Sequence, residues 1–207
     1  MDLLTVRQLG LVDYTETFTA MKDLTDRRGP DTADEFWLLQ HHPVFTLGLN
    51  ADPSHVLAPG EIPVVQVDRG GQVTYHGPGQ LVVYTLIDLK RSKLGIRDLV
   101  SALENSVIKL VAQHGIDAAA RCDAPGVYVN GRKLASVGLR VRRGCSYHGL
   151  ALNVSMETEP FKRINPCGFD DLSVTQLAEL GLPTDIDTIG DELTSLLTSE
   201  LGLDASA

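Results

Sequence analysis

The segment GVYVNGRKLASVGLRV, residues 126–141, limits what the chain can fold into more than any other. Asn130-Gly131 stands between two arms rich in β-branched and apolar residues. It suits a type I′ turn, in which both central residues need positive φ. An antiparallel hairpin is therefore predicted, and a hairpin needs further strands to become stable. LTVRQL, EFWLLQ, VFTLG, IPVVQVD and YHGLALNV supply them, with His41-His42-Pro43 breaking the second of these from the third. Helices are expected where Tyr14, Phe18, Met21 and Leu24 recur, up to Arg28-Gly29-Pro30. Another is expected from Ile96, through Leu99, Leu103, Val107 and Leu110, to a stop near Gly115. VTQLAEL and the run Ile189, Leu193, Leu196, Leu197 also read as helical. Strands fill the middle of the chain and helices flank them. The predicted fold class is α+β, a mixed β-sheet domain with flanking helices, in one domain over residues 1–207.

RGGQVTYHGPGQLVVYTLIDL, residues 69–89, places Gly70-Gly71 and Gly77-Pro78-Gly79 around a short alternating segment that runs into an apolar strand. Glycines allow backbone approaches that a Cβ would block, so something is expected to lie against this backbone. It is not a standard phosphate loop: it lacks a GK[ST] ending, and no GxGxxG opens a helix after it. The chain has no GxSxG nucleophile elbow either.

Cys167 lies in INPCGF, between a proline that fixes the backbone and a glycine that frees it, a setting that presents a thiol rather than burying it. Most single cysteines are small core hydrophobes. Cys122 and Cys145 lack that presentation. A thiol needs a nearby cation or base to become thiolate at neutral pH. By strand parity Lys133 shares a face with Ala135, Val137, Leu139 and Val141, as the one charge on the more apolar side of the hairpin arm. Desolvated there, it would lose basicity and act as a base; at the turn end it would instead snorkel to water. His76 and His148 are rival bases, each with an ordinary reading as a hydrogen-bonded histidine. Ser136-Val137-Gly138 and Gly149-Leu150-Ala151 are small or apolar stretches inside strands, suited either to lining an alkyl slot or to tight strand packing.

Composition narrows the classes. Hydrophobic residues make up 43% and charged residues 22% of the 207 residues, an ordinary globular balance. No apolar run reaches a membrane span, and MDLLTVRQLG has neither signal-peptide nor transit-peptide character, so a cytoplasmic location is expected. Three cysteines spaced 23 and 22 residues apart make neither a disulfide framework nor a metal knuckle. No metal is expected. Residues 157–207 hold eleven acids and two bases, the whole of the net charge of −9, which argues against nucleic acid as a partner. Lys90, Arg91, Lys93 and Arg97 are the densest basic cluster, either a solvated loop and helix start or a docking patch for an acidic partner.

Taken in order, RGGQVTYHGPGQLVVY, GRKLASVGLRV, HGLALNV and NPCGF resemble the lipoyl (octanoyl) transferase family. The resemblance implies a fold shared with the catalytic domains of biotin and lipoate protein ligases. It also implies a reaction: an octanoyl group passes from octanoyl-acyl carrier protein to a lysine of a lipoyl domain. Such domains belong to the 2-oxoacid dehydrogenase complexes or to the glycine cleavage H protein. By the same resemblance Cys167 carries the acyl group as a thioester, while Lys133 lowers the thiol's pKa and moves protons. The acyl site would comprise Arg69, Gly70, Gly71, Gln72, Val73, Thr74, Tyr75 and His76. Ser136, Val137 and Gly138 would join it from one strand, and Gly149, Leu150 and Ala151 from another. Thioester in and amide out runs downhill, so no cofactor is required. Backbone N–H groups near Gly168 or in the 69–79 loop are candidates for holding the oxyanion. Arg69, Tyr75 and His76 would mark the polar rim. The rivals are an ATP-dependent lipoate or biotin-type ligase, and a non-catalytic acyl-carrier-binding protein with an inert Cys167.

Overall fold

The structure, a computed structural model, describes residues 4–165 and 173–203. Asn130 and Gly131 have φ of 49° and 77°, so the hairpin closes on the predicted turn between β8 (Gly126–Val129) and β9 (Arg132–Arg142). A second positive-φ pair, Arg143 and Gly144, turns β9 back into β10 (Cys145–Asn153). To these are added β1 (Leu4–Val12), β2 (Asp34–His41), β6 (Gln80–Leu86) and the two-residue β7 (Ala119–Ala120). The seven form one sheet in the order β1-β2-β6-β10-β9-β8-β7. Among the described strand pairs of this sheet only β1–β2 is parallel, so the sheet is mixed.

Three helices cover this sheet because alternate residues on its strands are apolar on both faces. Phe36, Leu38, Leu81, Val83, Leu150 and Leu152 pack on one face, with α2 (Ile96–Ala112) and α3 (Ile186–Leu201) over them. Trp37, Leu39, Val82, Tyr84 and Ala151 point the other way, beneath Met21 of α1 (Tyr14–Arg27). Covered on both faces, β6 and β10 are buried along their whole length.

VFTLG and its neighbours leave the main sheet. β3 (Val44–Leu47) pairs with β4 (Val64–Gln66) and β5 (Val73–His76) in a separate three-stranded sheet. VTQLAEL departs from its helical reading. Only Leu177–Leu180 forms a short 3-10 turn. Before it, the chain bonds alongside Lys133, which donates N–H to Ser173 O at 2.9 Å and accepts from Thr175 N at 2.9 Å. Tertiary pairing there outweighs the helical spacing.

Asp34 anchors the start of β2. Its Oδ1 accepts from Arg28 and from the Asp88 backbone N–H at 2.8 Å, and Arg91 Nη2 forms an ion pair with it at 2.7 Å. Its side chain and that of Arg28 are almost wholly buried. Asp34→Ala leaves two guanidinium groups without their counter-charge, and a loss of about 3–5 kcal/mol is expected in denaturant titration. A loss below 1 kcal/mol would show that solvent compensates the cluster. Arg91 also donates to Pro30 O and Thr32 O, so it serves the fold interior and leaves Lys90, Lys93 and Arg97 as the exposed part of the basic cluster.

Candidate active site

One irregularity in the hairpin sets the site. Val127 pairs with Ala135, but the next residue, Tyr128, pairs with Lys133. Leu134 is therefore the extra residue of a β-bulge, and a one-residue slip moves every side chain beyond it to the opposite face. Lys133 shares the face of Ser136 and Gly138, not that of Ala135 and Val137 as simple parity predicts. Its ammonium lies 5.3 Å from the centre of the Tyr128 ring.

Around this strand is a cavity of about 480 Å³. The RGGQVT segment forms one wall, from Arg69 to Thr74, with His76 nearby. Ser136, Val137 and Gly138 of β9, and Gly149, Leu150 and Ala151 of β10, form another. Lys133, Val174, residues 123–125, and Ile96 and Val100 of α2 also line it. The expected acyl-site residues are thus brought together from three separate stretches, with one exception. Tyr75 alternates away from the cavity and packs 5.5 Å from both Phe45 and Phe161, in a cluster with Met156 and Ile164.

Arg69 is not on a rim. It is buried, and its guanidinium donates to Gly70 O, Gln72 O, Thr46 O and Thr46 Oγ1 at 2.8–3.0 Å. Its stem lies against Gly138, where a Cβ would come 3.1 Å from Arg69 Cδ. Gly70 donates its N–H to Leu139 O, so that donor is committed to fixing the wall. Protein backbone also explains part of the glycine content, since a Cβ on Gly48 would sit 1.9 Å from Gly71 O.

His76 is buried, and its Nδ1 donates to Gln80 Oε1 at 2.7 Å. Burial, reinforced by His41, pulls its pKa down to about 3, which leaves it neutral at physiological pH. His148 has a different partner. Its Nε2 lies 3.0 Å from Asp68 Oδ1, while Tyr147 donates its hydroxyl to Oδ2 of the same carboxylate. Burial alone would raise the Asp68 pKa, but these two hydrogen bonds outweigh it and hold it at about 2. Burial lowers the His148 pKa, against the opposing pull of Asp68.

A third group had no local signature in the sequence. The Tyr14 and Tyr84 hydroxyls are hydrogen-bonded, and Tyr84 donates on to His41 Nε2 at 2.7 Å, while His41 Nδ1 donates to Val12 O at 3.2 Å. Tyr14 is pushed up to about 12 and His41 down to about 4, both chiefly by burial. Tyr14 and Tyr84 line the cavity, so its inner surface is polar yet uncharged there.

Cys167 and Gly168 lie outside the described residues. The chain on either side is fixed: Asn165 donates its N–H to His55 O at 2.8 Å, and Ser173 bonds to Lys133. Among the described residues no cluster of three His, Cys, Asp or Glu suits a metal ion, and no helix is long and apolar enough to cross a membrane.

The fold that carries this cavity is one the chain shares with known proteins. Residues 13–197 match the family of the lipoyl protein ligase A/B catalytic domain. In fold the chain superposes on a lipoate-protein ligase A bound with ATP, with a TM-score of 0.80 at 12% identity over 98% of this chain and 87% of the other. A biotin protein ligase from Aquifex aeolicus, in complex with biotin and ATP, gives 0.61 at 16% identity over 96% and 70%. The fold is thus that of a lipoyl/biotin ligase catalytic domain. An octanoyltransferase from Alkalilimnicola ehrlichii is 62% identical, over 91% of this chain and 87% of its own length. One from Methylococcus capsulatus is 58% identical over 95% of each. The chain belongs to the octanoyltransferase family, whose members are acyltransferases.

Proposed function

We propose that the chain, as one catalytic domain, transfers an octanoyl group from acyl carrier protein to a lipoyl-domain lysine through a thioester on Cys167. Its place is the first step of endogenous lipoate formation, in the cytoplasm. The observation that carries this reading is the bulge at Leu134. It turns Lys133 into the cavity and bonds its backbone to the segment that follows Cys167.

In the first half-reaction the Cys167 thiolate attacks the donor thioester. A C–S bond forms to Cys167, the bond to the carrier's sulfur breaks, and the carrier leaves as a thiol after taking a proton. In the second, the acceptor amine attacks the acyl-enzyme. A C–N bond forms, the C–S bond breaks, and the proton lost from nitrogen returns to the cysteine sulfur by way of Lys133. Dividing the transfer in this way lets a good nucleophile meet the first thioester and leaves a good leaving group for the second. His76, held neutral by burial, is suited to accept a hydrogen bond in the cavity but not to supply a cation.

Intact and peptide mass spectrometry after mixing with octanoyl-acyl carrier protein tests this directly. An octanoyl adduct on Cys167, absent in Cys167→Ala and discharged by a lipoyl domain, is the expected result. Octanoylated acceptor without any adduct would replace the covalent intermediate with direct transfer. ATP–pyrophosphate exchange in place of either would overturn the transferase reading in favour of a ligase.

The carrier's docking place follows from the cavity opening. Ile96 lines the cavity and is still 47% exposed, so the opening lies at the first turn of α2. Exposed Lys90, Lys93 and Arg97 are on the same segment, against an otherwise acidic chain. An acidic carrier delivering its acyl arm there would meet these charges first. For Lys93→Glu with Arg97→Glu, KM for the carrier-bound donor is expected to rise roughly tenfold at low salt, with kcat little changed. Unchanged KM in a salt series would place docking elsewhere.

A further inference from the structure

Lys133 of β9 and His148 of β10 both line the cavity, and strand register sets the distance between them. The count starts at Lys133. Five residues further along β9, Gly138 pairs with Gly149 of β10, and the next pair is Leu139 with His148. With one of those residues taken up by the bulge, the distance from Lys133 to Gly138 is roughly 13 Å at the strand rise of ~3.3 Å per residue. An extended octanoyl chain whose carbonyl lies beside Lys133 fits that length, with its terminal methyl arriving near His148.

His148 is built into the cavity as a fixed wall. It lines the cavity and is 1% exposed. Its ring stacks on Phe18 of α1 at 5.4 Å and meets Tyr84 edge-on at 6.1 Å. Phe18 stands behind the ring and does not line the cavity. The backbone at His148 is left-handed, with φ of 61°, which turns its side chain out of the regular alternation of β10. The ring cannot swing freely from this position, because the Asp68 carboxylate, itself gripped by Tyr147, holds Nε2. Nδ1 is buried with no partner in the structure, so the neutral ring with its proton on Nε2 is the form that fits.

We propose that His148, held by Asp68, is the stop that limits the acyl chain to about eight carbons, with Asp68 as its positioning residue. This rests on the acyl-transfer reading above. A neutral aromatic face is suited to meet a methyl terminus, whereas a mobile or absent ring would leave the slot continuous with the space in front of Phe18.

The test is a competition among hexanoyl, octanoyl, decanoyl and dodecanoyl carrier-protein donors, read as the ratio of kcat/KM values. For His148→Ala, the decanoyl-to-octanoyl ratio is expected to rise about tenfold, on the order of what two more buried methylenes supply. Asp68→Asn keeps an acceptor for Nε2–H but loses the charge. It should move the ratio in the same direction by a smaller factor, and it keeps the test open if the alanine variant does not fold. A merely structural role would lower kcat/KM for every donor and leave the ratio alone. An unchanged ratio in folded variants therefore overturns the stop, while octanoyl transfer by the unsubstituted chain still stands. Absence of transfer from any donor by the unsubstituted chain overturns the transferase reading itself, and the stop with it.

Discussion

Exchanging Lys133 for methionine is expected to lower octanoyl transfer by ~10²–10⁴-fold, the usual range for removing a positioned proton-transfer group. The substitution keeps the four-atom stem, so contact with Tyr128 and the cavity wall is retained. Lys133 is also held through its backbone, by Ser173 O and Thr175 N, and these bonds do not depend on the side chain. The fold and the affinity for the acyl chain should therefore change little. The two half-reactions separate the roles. If the ammonium stabilises the Cys167 thiolate, alkylation of Cys167 by iodoacetamide will need a higher pH in the variant, and acyl-enzyme formation will slow. If Lys133 chiefly takes the amine's proton, acyl-enzyme will form at the normal rate and accumulate when the lipoyl domain is added. Lys133→Arg should restore the first role in part and the second hardly at all, since a guanidinium does not give up its proton. Turnover within threefold of the unsubstituted chain would remove Lys133 from the chemistry altogether.

The identity of Lys133 as a candidate was legible in the sequence; its orientation was not. Parity counting assumes an unbroken period of two, and nothing in GRKLASVGLRV marks Leu134 as the residue that breaks it. The bulge is a property of how β9 fits β8, where Gly126 sits at φ 139° so close to β9 that a Cβ would come 2.3 Å from Ala135 O. By contrast, the Asn130-Gly131 turn was readable because its two residues carry the required conformation themselves. The same distinction runs through the cavity. Its walls come from contiguous motifs, and sequence finds those. The surroundings of His148 bring together Tyr14, Asp68 and Tyr84, which meet it only after a helix, two strands and a loop have packed. VTQLAEL failed as a helix for a related reason: the exposed edge beside Lys133 offered Val174 and Thr175 a better set of backbone partners than a short helix did. Gly77 and Gly79 show the limit of reading glycines as ligand contacts. Their absent side chains make room for the Tyr75 ring and Ser155 O, respectively, away from the acyl slot.

Acidification is expected to destabilise the protein well before its carboxylates are protonated. His41 and His76 are buried, and burial brings their pKa values to about 4 and about 3. In the unfolded chain both return to about 6.5. Between about pH 6.5 and the folded pKa values the folded form therefore binds fewer protons than the unfolded form, and stability falls as pH falls. The contribution is fully present above pH 6.5 and is lost progressively down to the folded pKa values. At about 1.4 kcal/mol per unit, each histidine removes on the order of 3 kcal/mol by pH 4, a large part of an ordinary stability of 5–15 kcal/mol. His148, also lowered by burial, acts in the same direction. Asp68 belongs to a separate window, because its depressed pKa of about 2 keeps its contribution intact until the pH drops below the normal carboxylate range. Denaturant midpoints measured from pH 7.5 to 4.5 should thus fall with a slope that approaches two to three protons. His41→Gln, which keeps a side-chain acceptor near the Tyr84 hydroxyl but cannot titrate, should reduce that slope by about one proton while lowering stability at pH 7.5. Midpoints that stay level down to pH 4.5 would mean that water reaches these rings, and the uncharged character assigned to the inner cavity surface would fall with them.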